Sequence, residues 1–167
     1  MSSLLMPQQA DDLFWMQKAL QQAHIAYRQH EVPVGAVVVH NQQLISCGYN
    51  QPISRCDPSA HAEIIALRQA AQHRQNYRLT GVTLYCTLEP CAMCLGAMIQ
   101  ARIARLVFAA PEPKSGAVIS QHHLTEYYNH RIRYTGGVLS EASLYILRSF
   151  FRAQRQAHDK NMATNAK

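Results

Sequence analysis

His61-Ala62-Glu63, followed further along the chain by Pro90-Cys91-Ala92-Met93-Cys94, gathers one imidazole, two thiols and one carboxylate. These residue types suit zinc, which takes Cys sulfur and His nitrogen; a structural site closes with four protein ligands, a catalytic one keeps a position for water. His61, Cys91 and Cys94 make three ligands, so the spacing predicts one zinc ion per chain with an open position. Zinc lowers the pKa of a bound water to roughly 7. Glu63 is left over as a carboxylate that can take the water proton, deliver it to an acceptor and protonate a leaving group. Backbone N–H groups near Ala62 and Cys91 are candidate donors to developing charge.

Other readings of the thiols fit less. A lone C-x-x-C serves as a redox pair or as half of a zinc ribbon. A ribbon needs a second C-x-x-C or an H-x-H element, which the sequence lacks. A redox pair leaves His61 and Glu63 without a role. His122-His123, adjacent in a polar stretch, read as surface residues, and Cys47, Cys56 and Cys86 as packed or inert thiols.

This chemistry constrains the elements that carry it. Cys91 and Cys94 stand three apart and face one way on a first helical turn. His61 and Glu63 stand two apart, which in mid-helix points them to nearly opposite faces. They share a site only if the metal lies beyond a helix N-terminus. Asp57-Pro58 reads as N-cap and first residue of a helix to about residue 73. Pro90 opens another to about residue 101.

Around them, a first helix capped by Asp11 or Asp12 carries Leu13, Met16, Leu20, Ala23 and Tyr27 at helical spacing. Val34 to His40 and Leu44 to Gly48 read as a hairpin, with an irregular loop from Tyr49 to Cys56. Val82, Leu84 and Cys86 alternate with Thr83, Tyr85 and Thr87 in a strand after Gly81. Arg105 to Ala110 is a strand, Pro111 to Ser120 a loop, and Arg131 to Thr135 a short last strand. Ser140 caps a final helix to about residue 157. Alternating strands and helices predict a three-layer α/β/α sandwich around a mixed, mostly parallel five-stranded sheet.

A length of 167 residues with 48% hydrophobic content suits one domain. Its expected span is 11–157, with flexible ends at 1–10 and 158–167. The N-terminus shows neither a basic region nor an apolar core of a signal peptide, and no stretch approaches the roughly 20 apolar residues of a membrane span. A cytoplasmic protein without a membrane partner is expected. The net charge of +6 is unevenly placed. Residues 131–167 hold seven Lys/Arg against Glu141 and Asp159. A basic end on a near-neutral body points to a polyanionic partner; a solvated tail that aids solubility is the other reading.

The pattern H-x-E followed by P-C-x-x-C is the signature of zinc-dependent nucleoside deaminases. The blocks around it are more selective. Glu31-Val32-Pro33-Val34-Gly35-Ala36, Asn50-Gln51-Pro52-Ile53, Asp57 to Glu63, Asn76-Tyr77-Arg78-Leu79, Leu88 to Cys94, Lys114-Ser115-Gly116-Ala117 and Ser149-Phe150-Phe151-Arg152 resemble the bacterial tRNA-specific adenosine deaminases. The resemblance runs from about residue 12 to 156. It implies a cytidine deaminase-like fold, a homodimer, one zinc per subunit on His61, Cys91 and Cys94, and Glu63 as proton shuttle. It implies adenosine-to-inosine conversion at the wobble position of a tRNA anticodon stem-loop, typically of an arginine tRNA. Asn50 would bond the base, with Val34, Ala62 and Leu88 around it. Phe150, Phe151, Arg152 and Arg155 would face RNA, with Glu112 and Lys114 on the intervening loop. At least one of Phe150 and Phe151 is expected in the core, since neighbours on a helix point about 100° apart. The chain departs from the family at Ala110-Pro111-Glu112-Pro113: an arginine is missing, Glu112 replaces an aspartate, and two prolines stiffen the loop.

A deaminase of a free base or nucleoside is the main rival on this fold, and the basic C-terminal helix argues against it. A non-enzymatic RNA-binding module with a structural zinc is the other, and the free Glu63 argues against that.

Overall fold

The computed structural model describes residues 7–121, 123, 125 and 128–165. His122 of the histidine pair, and residues 1–6 and 166–167 of the expected flexible ends, lie outside the described residues. The elements are α1 (Pro7–Arg28), β1 (Gly35–His40), β2 (Gln43–Tyr49), α2 (Pro52–Arg55), α3 (Ala62–Arg74), β3 (Thr83–Leu88), α4 (Ala92–Gln100), β4 (Arg105–Ala110), β5 (Arg133–Gly136) and α5 (Ser140–Asn165). The strands form one sheet in the order β2-β1-β3-β4-β5. β1 is antiparallel to β2 and β3, while β3, β4 and β5 run parallel. Four strands therefore point one way and β1 opposes them, the expected mixed sheet. No helix among the described residues is long and apolar enough to cross a membrane.

Period-two alternation builds two cores. Ala36 and Val38 of β1, Leu84 and Cys86 of β3, and Leu106 and Phe108 of β4 face α3 and α4. Their neighbours Val37, Val39, Tyr85, Val107 and Ala109 face α1 with Trp15, Met16 and Ala19. Strands covered on both faces read as continuous apolar runs, which is why β1 and β4 stand out in the sequence. Gly48 of β2 lets α3 lie directly on the sheet: a Cβ there would sit 2.4 Å from the Ala62 carbonyl oxygen. That contact seats the N-terminus of α3 at the edge of the functional site.

Several boundaries differ from the sequence expectation. Asp57 does not cap α3. Its carboxylate accepts from Ser59 N at 2.8 Å and Ser59 Oγ at 2.7 Å, a local turn that competes with helix. The turn delays the helix to His61, which is itself the N-cap. Likewise α4 begins after Cys91, because Ala117 N donates to Pro90 O at 2.9 Å and Cys91 bridges Gly116. The loop after Asn50 contains the single turn α2, with Pro52 at its start. The first helix begins at Pro7, ahead of Asp11, and the last runs on to Asn165, past residue 157.

Candidate active site

Two helix N-termini converge beside the end of β3. His61 caps α3 in extended conformation (φ −72°, ψ 153°) and Cys91 caps α4 likewise (φ −73°, ψ 172°). Neither side chain spends itself on its own helix. Asn50 supplies the missing cap to α3 instead: its Oδ1 accepts the Ala62 N–H at 2.8 Å. The His61 ring is thereby free to turn toward the thiols.

His61 Nδ1 lies 3.8 Å from Cys91 Sγ and 3.5 Å from Cys94 Sγ, and the two sulfurs are 3.7 Å apart. Tetrahedral zinc with bonds of about 2.3 Å to sulfur and about 2.05 Å to nitrogen requires S···S of about 3.8 Å and S···N of about 3.6 Å. The three donor atoms match those edges, so they could hold such an ion without rearrangement. The pair shares its protons unequally. The neighbouring Cys94 and the His61 ring hold Cys91 down to about 4. The same contact, with burial, pushes Cys94 up. Contact with Cys91 raises His61. Glu63 is 4% exposed, and loss of hydration raises its pKa, against the opposing charge of His61. A buried carboxyl that holds its proton more tightly than a free one is suited to give and take a proton.

A cavity of about 260 Å³ opens onto this triad. His61, Cys91 and Glu63 form its floor, and Val34, Asn50, Leu88, Glu112 and Ser115 also line it. Cys94 is fully buried behind the floor. Ala62 is also buried, and its N–H is committed to Asn50, so the structure keeps it beneath the cavity and not on its wall. Because Asn50 Oδ1 is engaged, the remaining hydrogen-bonding group of that amide is its NH₂, a donor. Glu112 fits its loop by folding back: its Oε1 accepts Lys114 N at 2.9 Å.

The residues expected to face RNA gather elsewhere. Lys114, Arg148, Phe151, Arg152 and Arg155 line a separate groove of about 500 Å³ along α5. Phe151 is 44% exposed there, while Phe150 is buried and packs edge-on against Tyr27. Sequence reasoning missed Val32, Pro52, Ser115 and above all Glu89 as parts of the cavity. Glu89 carried one signal, a carboxylate directly before the Pro90-Cys91 turn.

The layered sheet and the His/Cys/Cys triad with its buried glutamate define the class, a cytidine deaminase-like α/β deaminase fold. A MafB19-like deaminase family model matches residues 10–155. The tRNA-specific adenosine deaminase of Haemophilus influenzae is 48% identical over 144 residues, 84% of this chain and 83% of the relative. That of Buchnera aphidicola subsp. Baizongia pistaciae is 42% identical over 156 residues, 92% and 96% of the two chains. A solved structure from a study of A-to-I editing by tRNA:A34 deaminases superposes with a TM-score of 0.77 at 38% identity, covering 80% of this chain and 99% of that one. A guanine deaminase from Nitrosomonas europaea shares the fold at 22% identity and a TM-score of 0.73. The chain belongs to the tRNA-specific adenosine deaminase family.

Proposed function

We infer that the protein is a zinc-dependent hydrolase that converts adenosine to inosine at the wobble position of a tRNA anticodon, an arginine tRNA among its substrates. The observation that carries this reading is the three-donor triad at tetrahedral spacing, open to a cavity that also holds a buried carboxyl and an amide donor. Identities of 34–52% to relatives named tRNA-specific adenosine deaminase support the substrate class.

His61, Cys91 and Cys94 would hold one zinc per subunit. Bound there, zinc supplies a Lewis acid that acidifies water. Glu63 takes a proton from the attacking water and delivers it to the base's ring nitrogen. It then takes the remaining proton from the new C–OH group and gives it to the departing amine, so that C–NH₂ becomes C=O and ammonia leaves. The Asn50 NH₂ group offers a donor to an acceptor atom of the purine, and Val34 and Leu88 give its faces apolar contact. The groove along α5 sets four cations beside an exposed aromatic ring, a combination suited to phosphates and an unstacked base.

A homodimer acting in the cytoplasm completes the proposal. Ile64, Leu67 and Ala71 of α3, Ala97 of α4 and Ala101 at its C-cap line an apolar surface groove with Tyr77, and Met93 is 40% exposed. Such a surface is suited to a second copy. Incubation of the purified protein with total bacterial tRNA, followed by sequencing for A-to-inosine change, tests the function. Conversion at one wobble adenosine is expected. Untouched tRNA together with turnover of free guanine or cytosine would replace this reading with the small-molecule rival.

A further inference from the structure

Glu89 is 2% exposed and follows the last residue of β3. Its own N–H donates to Ala110 O at 2.8 Å, which keeps it in register with the end of β4. Its carboxylate then collects the loop that leaves β4. Oε1 accepts from Val118 N at 3.1 Å, Ile119 N at 2.8 Å and Ser120 N at 3.0 Å. Oε2 accepts from Glu112 N at 3.0 Å and from Ser120 Oγ. Gly116 makes room: a Cβ there would lie 2.4 Å from the Glu89 Cδ and 2.6 Å from the Glu112 carbonyl oxygen. The same loop carries Glu112 and Ser115 onto the cavity and bridges Cys91 through Gly116.

We propose that Glu89 is a positioning residue that sets the substrate-facing wall of the cavity, by fixing the loop from Glu112 to Ser120 against the first turn of α4. The two oxygens divide the work. Oε1 holds the far arm of the loop at residues 118–120, and Oε2 holds the near arm at Glu112, which faces the cavity. In Glu89→Gln the amide oxygen can keep the three far donors. Its NH₂ group then meets the Glu112 N–H, donor against donor, while the Ser120 hydroxyl can rotate to accept. The near arm is released and the far arm stays. Because the wall contacts substrate alike before and during reaction, its loss reads out in KM more than in kcat.

The proposal rests on reading the cavity as the substrate pocket, and the test separates the two. Zinc content, amide hydrogen exchange and steady-state kinetics on a tRNA anticodon stem-loop are measured for the wild type, Glu89→Gln and Gly116→Ala. In both variants zinc stays at one per chain and exchange rises at residues 112–116. KM rises roughly 10- to 100-fold, the scale of one hydrogen bond to a charged group, while kcat stays within about threefold. Gly116→Ala displaces the carboxylate without removing it, so the double variant should be no worse than the more impaired single one. If Glu89→Gln does not fold, Gly116→Ala alone carries the same readouts. Unchanged exchange and KM would overturn the proposal. So would a parallel loss of zinc and kcat at constant KM, which would make Glu89 a support of the α4 helix only. Should the stem-loop prove not to be the substrate, the exchange arm still decides whether Glu89 holds the wall.

Discussion

Asn50 Oδ1 accepts the Ala62 N–H at 2.8 Å, so a residue from the end of β2 caps the helix that carries His61 and Glu63. The bond ties the cavity wall to the His/Cys/Cys cluster, and the proposed function gives the same side chain a second, separable duty in holding the base. In Asn50→Ala both are lost. Loss of a cap typically costs about 1 kcal/mol, and a thermal melt should show a corresponding fall in Tm. Asn50→Asp keeps an acceptor for Ala62 but has no NH₂ donor. It should recover stability without recovering turnover. If Asn50→Asp restored both, the amide would have no part in holding the base.

Glu63 is not one of the three clustered donors, yet it shares their cavity and its carboxyl contacts Cys94. Glu63→Gln keeps the volume of a buried side chain and removes only the titrating oxygen. Elemental analysis should still find about one zinc per chain, and turnover should drop by roughly 10²–10⁴-fold or more, the range for general acid–base catalysis. A variant that loses zinc in step with activity would make Glu63 a support of the ligand set. Prolonged chelation of the wild type should abolish activity, and added zinc should restore it.

Much of this site was legible from residue types and spacing because the chemistry demands them. The His61/Glu63 and Cys91/Cys94 pairs required two helix ends to meet, and they do. The alternation in β3 placed Leu84 and Cys86 on one core and Tyr85 on the other, as expected. Helix starts were less legible, because long-range bonds decide them. Asp57 satisfies its local turn, and the bridge from Cys91 to Gly116 delays α4. Glu89 was hidden for the same reason. Its five donors come from a loop more than twenty residues away, and sequence spacing alone cannot place a loop without periodicity.

Tyr85 lies within β3 with its side chain in the core on the face of the sheet opposite to Cys94 and the His/Cys/Cys cluster. Its hydroxyl donates to Asp12 Oδ1 at 3.1 Å, and Arg105 holds the same carboxylate through two bonds of 2.6 and 2.7 Å. Burial, with Asp12 beside it, raises the phenol well above its ordinary value of 10.0. The folded protein therefore retains a proton that the unfolded chain releases. Stability from this group is fully present below pH about 10 and declines as pH rises beyond it. Urea melts from pH 9 upward should show that decline in the wild type and a flatter one in Tyr85→Phe. Identical alkaline limbs would mean that another group governs them.

Arg148, Arg152 and Arg155 stand at i, i+4 and i+7 on α5, and the fold adds Lys114 from the loop beside the cavity to the same groove. The catalytic wall and the basic helix thus share one loop. Phosphate contacts release counterions, so tRNA binding should weaken with salt at a log–log slope of about −0.7 per contact on single-stranded RNA. Replacing the three arginines by Ala should raise the tRNA dissociation constant and flatten that slope by about two units. Lys114→Ala added to the triple variant should flatten it by roughly another 0.7. Zinc content should not change, because α5 supplies no ligand. Phe151→Ala separates stacking from charge: affinity should fall by roughly 1–3 kcal/mol, the worth of one base stacked on an aromatic ring, at an unaltered salt slope. A folded triple variant with wild-type affinity and slope would make the arginine stripe a solvated surface, and the RNA path would then have to leave the cavity by another side.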